Sequence, residues 1–215
     1  MSAWGYRKPS DLPQTLPVFP LPNAILFPRG VLPLNIFEPR YLNMVDDALA
    51  GDRLIGMVQP ASGEENESAP QLSDVGTAGR ITTFSETEDG RYLITLTGVC
   101  RFRVARELEA GGPYRQAIVS FEEFGADLYE PRAGIDRERL REALEHYVAV
   151  HGFQTDWDAV DHAPPEALVN AVAVLCPFDP PAKQALLEAP SLAERCDALI
   201  ALLEWSADGG EGLMQ

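Results

Sequence analysis

Lysine is nearly missing from this 215-residue chain. Of its 17 basic residues only Lys8 and Lys183 are lysine, the rest being arginine. A P-loop needs a Gly-Lys pair, because the lysine must follow the glycine-rich turn to reach the phosphates. Lys8 follows Arg7 and Lys183 follows Ala182, which excludes a P-loop ATPase. Basic charge of any kind is scarce: 33 acidic residues give a formal net charge of −16. Non-specific nucleic-acid binding draws on lysine and arginine to neutralise phosphates, so this balance argues against a nucleic-acid partner. Long hydrophobic runs are absent too. None approaches the roughly 18 uncharged residues of a membrane helix, and the longest candidate, Ala167 to Cys176, is short and carries Asn170. The first nine residues hold charges but no apolar core, so neither a secretory signal nor a membrane partner is expected. Cysteine is sparse, at Cys100, Cys176 and Cys196. An odd, widely spaced set reads as small buried thiols in a reducing compartment, and a cytoplasmic location is expected.

What is present divides into two textures. Residues 1–15 are polar and proline-containing and read as a mobile lead-in. Leu16 to Pro22 is so dense in proline that it cannot occupy a central strand, since each proline removes a ladder donor; an edge strand or extended arm fits. Ala24 to Phe27 and Val31 to Phe37 read as a strand broken at Pro28-Arg-Gly30, with Leu32, Leu34 and Ile36 on one face. Pro39 opens a short helix, with Tyr41, Val45, Ala48 and Leu49 on one stripe and Gly51 as its stop. Leu54 to Val58 is a short strand. Gln59 to Asp74 has Leu72 as its one large apolar residue and reads as a mobile loop. Val75 to Phe84 and Arg91 to Leu96 flank a hairpin turn at Asp89-Gly90. Gly98 suggests a bend or bulge. Cys100, Phe102 and Val104 then alternate with Arg101 and Arg103, which places both arginines toward solvent. Tyr114 to Phe121 is a further strand.

From Pro131 the period is helical. Helices are expected from Asp136 to His151, from Pro164-Pro165 to Cys176, after Pro180-Pro181, and from the capping box Ser191-Leu-Ala-Glu194 to Trp205. Strands first and helices second indicate an α+β chain. Its β-rich part spans 14–124 and its helical part 125–206, with 1–13 and 207–215 as tails. The charge divides unevenly: residues 1–125 hold 11 basic and 16 acidic side chains, residues 126–215 hold 6 and 17.

Few residues invite catalysis. His146 and His151 lie five apart on one helix, a spacing that turns them away from a shared face, and no Cys-x-x-Cys pair offers a zinc site. Lys183 reads as a solvated side chain in the first turn of a short helix, and Cys100 as a small core residue. More informative is Phe37-Glu-Pro-Arg-Tyr41. It reads structurally as a strand end, a helix start and a charge pair, and functionally as an aromatic and charged rim beside a groove. The proline-rich arm before it lies where a partner strand could add.

These same residues resemble the opening of the Lon protease N-terminal domain. The resemblance rests on Leu16-Pro-Val-Phe-Pro-Leu-Pro22, Leu26-Phe-Pro-Arg-Gly30 and Leu32-Pro-Leu-Asn-Ile-Phe-Glu-Pro-Arg-Tyr41. Gly56-Met-Val58, Val75-Gly-Thr77, Asp89-Gly-Arg91, Leu96-Thr-Gly98, Arg101-Phe-Arg103, Pro113-Tyr114, Lys183 to Glu188 and Glu194-Arg195 follow in the family's order, so that it covers about residues 14–205. It implies a PUA-like β pseudo-barrel followed by an α-helical bundle. It also implies a substrate-binding module without the ATPase and Ser-Lys protease domains of full-length Lon, as in a stand-alone bacterial Lon-domain protein. No catalytic residue, metal or cofactor carries over. The implied partners are unfolded or extended polypeptide segments, with a protease or chaperone behind them in an adaptor or regulatory role. The candidate peptide contacts are Phe19, Phe37, Glu38, Arg40 and Tyr41. The alternative is RNA binding, common among PUA-like folds, through Arg80, Arg91, Arg101, Arg103, Arg106 and Arg115.

Overall fold

The computed structural model describes residues 4–61, 70–109, 111–131 and 134–209. It separates into two compact units, residues 1–130 and 131–215. The first is built on six strands: β1 (Thr15–Pro20), β2 (Val31–Ile36), β3 (Leu54–Val58), β4 (Val75–Glu86), β5 (Tyr92–Glu107) and β6 (Gln116–Ser120). They are ordered β2-β5-β4-β3-β1-β6, and β6 pairs again with β5. The pairings therefore run in a circuit through β5, β4, β3, β1 and β6, with β2 laid outside it on β5. This is the expected pseudo-barrel, followed in the chain by the expected helices.

The proline-rich strand is not at an edge. β1 lies between β3 and β6, and the reason it can do so is its stagger. Thr15, Leu16 and Pro17 pair antiparallel with β6, whereas Val18, Phe19 and Pro20 pair parallel with β3. Each half of the strand serves one neighbour, and each proline falls at the end of a ladder, where its missing N–H costs little. Ala24 to Phe27, expected as strand, forms no ladder. Ile25, Leu26 and Phe27 are nonetheless buried. A turn closed by Gly30 N–H to the Phe27 carbonyl (2.9 Å) passes against β5 at Gly98. There a Cβ would stand 2.0 Å from the Phe27 oxygen, so only glycine fits. The register of β5 against β4 shifts beside this point, between the pairs Gly98–Gly79 and Cys100–Ala78, which is the bulge that Gly98 suggested.

Between β2 and β3, helix α1 (Pro39–Ala50) lays Tyr41, Met44, Val45 and Ala48 into the core. They pack with Phe19, Leu26, Ile36, Ile55, Met57, Ile81, Ile94 and Leu96. Pro39 starts the helix and Gly51 ends it, as the sequence indicates. The described parts of two segments expected to be loose are ordered. Residues 59–61 and 71–73 pair with each other, through Ala61 N–H to Gln71 O (2.7 Å) and Ser73 N–H to Gln59 O (2.9 Å). The middle of that loop, 62–69, lies outside the described residues. The lead-in forms a short 3-10 turn at Pro9–Asp11 and buries Leu12, and Tyr129 donates to the Arg7 carbonyl (2.6 Å).

Arg101 departs furthest from expectation. The side of β5 that alternation assigns to solvent is covered by a 3-10 segment, Glu122–Leu128. Arg101 and Asp127 are only 4% and 8% exposed there. One Asp127 oxygen accepts from the Arg101 backbone N–H (3.0 Å) and from Nε (2.8 Å), and the other from Nη2 (2.9 Å). The guanidinium stacks 4.7 Å from the Phe124 ring centroid, and Cys100 Sγ donates to the Phe124 carbonyl (3.3 Å). Arg103 does reach the surface, where Glu123 pairs with it.

The second unit contains α2 (Arg137–His151), α3 (Trp157–His162), α4 (Pro165–Leu175), α5 (Pro180–Glu188) and α6 (Leu192–Ala207). Asp136, Asp156, Asp179 and Ser191 each accept a helix-start amide, which fixes four of the five beginnings. Gly152 ends α2 in the left-handed conformation. α3, too short to show a helical stripe, was not foreseen. Residues 210–215, part of the expected tail, lie outside the described residues. No described helix is long and apolar enough to cross a membrane.

Removing one partner of a buried ion pair leaves the other charged and unsolvated. Asp127→Ala should therefore cost about 3–5 kcal/mol in urea unfolding, whereas the apolar double replacement Arg101→Met with Asp127→Leu should restore most of it. Equal stability of Asp127→Ala and the parent chain would show that the pair does not anchor the segment.

Candidate functional site

β2 has one ladder neighbour, β5, among the described residues. The pairing register follows from Gly98 N–H bonding to the Gly30 carbonyl (2.9 Å). Pairs 32–96, 34–94 and 36–92 are in phase with it, so Leu32, Leu34 and Ile36 turn their backbone groups to β5. Val31, Pro33 and Asn35 turn theirs to the open edge. That edge offers the N–H of Val31 and of Asn35 and three carbonyls. Pro33 sits where its lack of an N–H costs no bond to β5, and it also blunts the edge against uncontrolled pairing.

Beside this edge the sheet is concave. A hollow of about 430 Å³ is lined by Pro33, Leu34 and Asn35 of β2, Leu93, Ile94 and Thr95 of β5, and Thr83, Phe84 and Ser85 of β4. Val31, Phe84 and Leu93 are exposed although large and apolar. Phe84 is propped edge-on against Tyr92, with ring centroids 4.9 Å apart, and Thr83 donates to Thr95 across the strands (2.6 Å).

The five sequence-selected residues cluster at the C-terminal end of β2, in two layers. Phe37 is 64% exposed. Glu38 and Arg40 form a surface ion pair (2.8 Å), with the Arg40 guanidinium 4.6 Å from the Tyr41 ring centroid. Beneath them Phe19 and Tyr41 are buried, their rings 4.2 Å apart. Burial pushes the Tyr41 hydroxyl above its ordinary pKa, with Arg40 opposing and Glu38 adding to the shift. Sequence reasoning missed Phe84 and Leu93. Alternation marks both as strand residues, and the register sets them on opposite faces of the sheet, Phe84 across from Ile94 and Leu93 across from Ser85 and Asn35.

The helical unit holds a second concavity, of about 680 Å³, walled by α2, α3 and α4. Cys176 lies in its wall. Burial raises that thiol to about 11, with the Lys183 charge opposing. Tyr147, also in the wall, is raised to about 12 by burial and by Cys176. Lys183 is not solvated as expected. It is 7% exposed on the inward side of α5, and its amine donates to the Val174 carbonyl (3.2 Å). Burial lowers its pKa and Cys176 partly restores it. A thiol at about 11 is protonated near neutrality and a poor nucleophile.

Elsewhere, His146 meets Asp208 at 3.7 Å, both exposed. Among the described residues no group of three or more His, Cys, Asp or Glu stands close enough to hold a metal. Of the six arginines offered for RNA, four pair with carboxylates, Arg91 with Asp89, Arg101 with Asp127, Arg103 with Glu123 and Arg115 with Glu107, and Arg106 is exposed. Arg80 donates to Tyr6 and to the Asp52 carbonyl. The RNA alternative is therefore without support.

Comparison with known proteins agrees with this architecture. Residues 15–204 match the family model of the ATP-dependent protease La (LON) substrate-binding domain. "Lon protease 2" of Myxococcus xanthus is 32% identical over 209 residues, covering 94% of this chain and 25% of that protein. "Lon protease" of Anaeromyxobacter dehalogenans is 29% identical, covering 90% and 23%. The chain thus spans about a quarter of the length of these relatives. Among solved structures, a Lon N-terminal domain protein from Xanthomonas campestris superposes with a TM-score of 0.59 at 25% identity, covering 87% of this chain and 97% of that one. The N-terminal domain of Mycobacterium avium complex Lon protease gives 0.63 at 17% identity, covering 88% and 97%, a likeness of fold.

All three thiols are buried. A thiol reagent at about pH 8 should label almost none in the native chain and all three after unfolding. The folded pKa of Cys176 and of Cys196, each about 11, exceeds the ordinary 9.0. The native state therefore holds those protons more tightly. Their contribution to stability is full below about pH 9 and is lost as pH rises toward 11. The lowered Lys183 acts in the opposite sense and offsets part of the loss. Urea midpoints should fall across this window, and less steeply in Cys176→Ala. A flat profile would contradict the assignment.

Proposed function

We propose a function from one premise: this chain belongs to the Lon protease substrate-binding domain family. It acts as a non-enzymatic module that holds extended, apolar-rich polypeptide segments, in an adaptor or regulatory role toward a protease or chaperone that receives them. The observation that carries this reading is the open edge of β2 ending in the exposed ring of Phe37. A segment added alongside β2 would accept from the N–H of Val31 and of Asn35 and donate to the carbonyls of Val31, Pro33 and Asn35. On one face its side chains would lie over Pro33 and Asn35 toward Leu93, with Phe37 closing the end. Glu38 and Arg40 supply a polar rim, and the buried rings of Phe19 and Tyr41, tilted against each other, hold that rim in place from below.

The expected strength is modest. Burying one aromatic ring of about 150–250 Å² contributes about 4–6 kcal/mol at 25 cal/mol per Å². Association costs of about 4–15 kcal/mol consume most of that and of the strand hydrogen bonds. Weak, reversible capture suits a module that passes its cargo on. The net charge of −16 favours neutral or basic segments.

Fluorescence anisotropy of a labelled, permanently unfolded neutral polypeptide, titrated with the full chain at rising salt, tests this. Saturable binding is expected, with the polypeptide intact by mass spectrometry afterwards. Phe37→Asp should weaken it by about tenfold or more and leave the melting temperature nearly unchanged, because the ring is mostly exposed. Absence of saturation at every salt concentration, or an unaltered affinity of Phe37→Asp, would overturn the site; cleavage of the polypeptide would overturn the non-enzymatic role.

A further inference from the structure

The concavity of the helical unit is unlike the β2 edge in chemistry and shape. Its wall is almost wholly apolar, with Leu144 and Val148 from α2, Val160 from α3 and Leu168, Val172 and Leu175 from α4 at its centre. Leu175 is 80% exposed, and Phe153, in the turn after α2, is exposed at the rim. A soluble surface does not leave such side chains wet without cost, and a contiguous apolar concavity of this size marks an interaction site.

Two features select its occupant. The walls are helices whose amides are bonded internally, so an extended chain placed there would bury its own N–H groups without partners. A helix arrives with those groups already satisfied. The charge selects further. Asp156 is the one charged residue in the lining. Residues 137–177 carry seven carboxylates against three arginines. Those arginines are engaged: Arg137 with the Ala163 carbonyl, Arg139 with Glu204, and Arg141 with Glu145 and Asp161. A fatty acid or other anion would find no cation in the lining, whereas lysines or arginines flanking an apolar face would meet Asp156 and the net negative charge of these helices.

We propose that this groove, between α2, α3 and α4, docks a basic amphipathic helix of a partner protein, as a second interaction surface that does not depend on the β2 edge. Apolar side chains at helical spacing would enter between Phe153 and Leu175, and flanking cations would face α2 and α3.

The probe is a synthetic 16-residue helical peptide with leucines on one face and lysines beside them, labelled with fluorescein. It is compared with a version carrying glutamate in place of lysine and with a scrambled version, each titrated with the full chain by anisotropy. The lysine probe should bind saturably, about tenfold or more tighter than either control, and weaken as salt rises. Leu175→Arg and, separately, Ala171→Arg, both at exposed positions, should each reduce its affinity by about tenfold or more, with melting temperatures showing that the fold is kept. The extended polypeptide that reads the β2 edge should not displace it. Equal affinity for the lysine and glutamate probes, binding insensitive to both arginine variants, displacement by the extended polypeptide, or no saturation would each overturn the proposal. Binding of monomeric dodecyltrimethylammonium without any binding of the helical probe would also overturn it, assigning the groove to a small cationic amphiphile.

Discussion

The first unit depends on a charge removed from water and repaid in kind. Arg101 sits on β5 with its guanidinium closed off from solvent, and Asp127 answers it with both carboxylate oxygens. An unpaired ion at that depth costs several kcal/mol, so the 3-10 segment that carries Asp127 cannot leave β5 without exposing or stranding a charge. The segment also supplies Phe124 as a lid over the guanidinium and a carbonyl for the Cys100 thiol. One aspartate thus holds the end of the strand unit against the strand that runs through the circuit of pairings and also carries β2. The exposed edge of β2 is a stable surface because β5, its ladder neighbour among the described residues, is fixed from the other side.

Much of this architecture is legible in the sequence, since the signals involved are local. The hairpin at Asp89-Gly90, the bulge at Gly98, Pro39 and Gly51 bounding α1, and the capping box at Ser191 each need only a few consecutive residues. What escaped depends on residues far apart. That β1 is central rather than peripheral follows from its halves pairing with different strands, and no proline count reveals a stagger. That Arg101 is buried follows from Asp127, 26 positions away. Alternation places Arg101 on the outer side of β5 correctly; what it lacks is the segment that covers that side. Lys183 repeats the lesson on a helix.

The candidate site divides in the same way. Phe37, Glu38 and Arg40 stand out in sequence because a large ring and an ion pair interrupt a strand-to-helix passage. Tyr41 belongs to that motif and Phe19 to the proline-rich strand, and both are buried beneath it. Phe84 and Leu93 look like ordinary strand residues, and their exposure, one on each face of the sheet, depends on what the other described residues leave uncovered. The helical concavity is invisible for a related reason. Its shape comes from the short α3 standing beside α4, and a six-residue helix leaves no periodic trace.

The stagger of β1 also governs the order in which the molecule can be made. Thr15 must find Ile118, about one hundred positions further along, before the circuit through β6 exists. On a ribosome, every earlier strand has emerged before that partner is available. Until then the leading residues of β1 have no neighbour on that flank, and contacts of such long sequence separation slow the search for the native state. The nascent barrel is therefore an open sheet for most of its synthesis, and its final closure waits on the last strand to be translated.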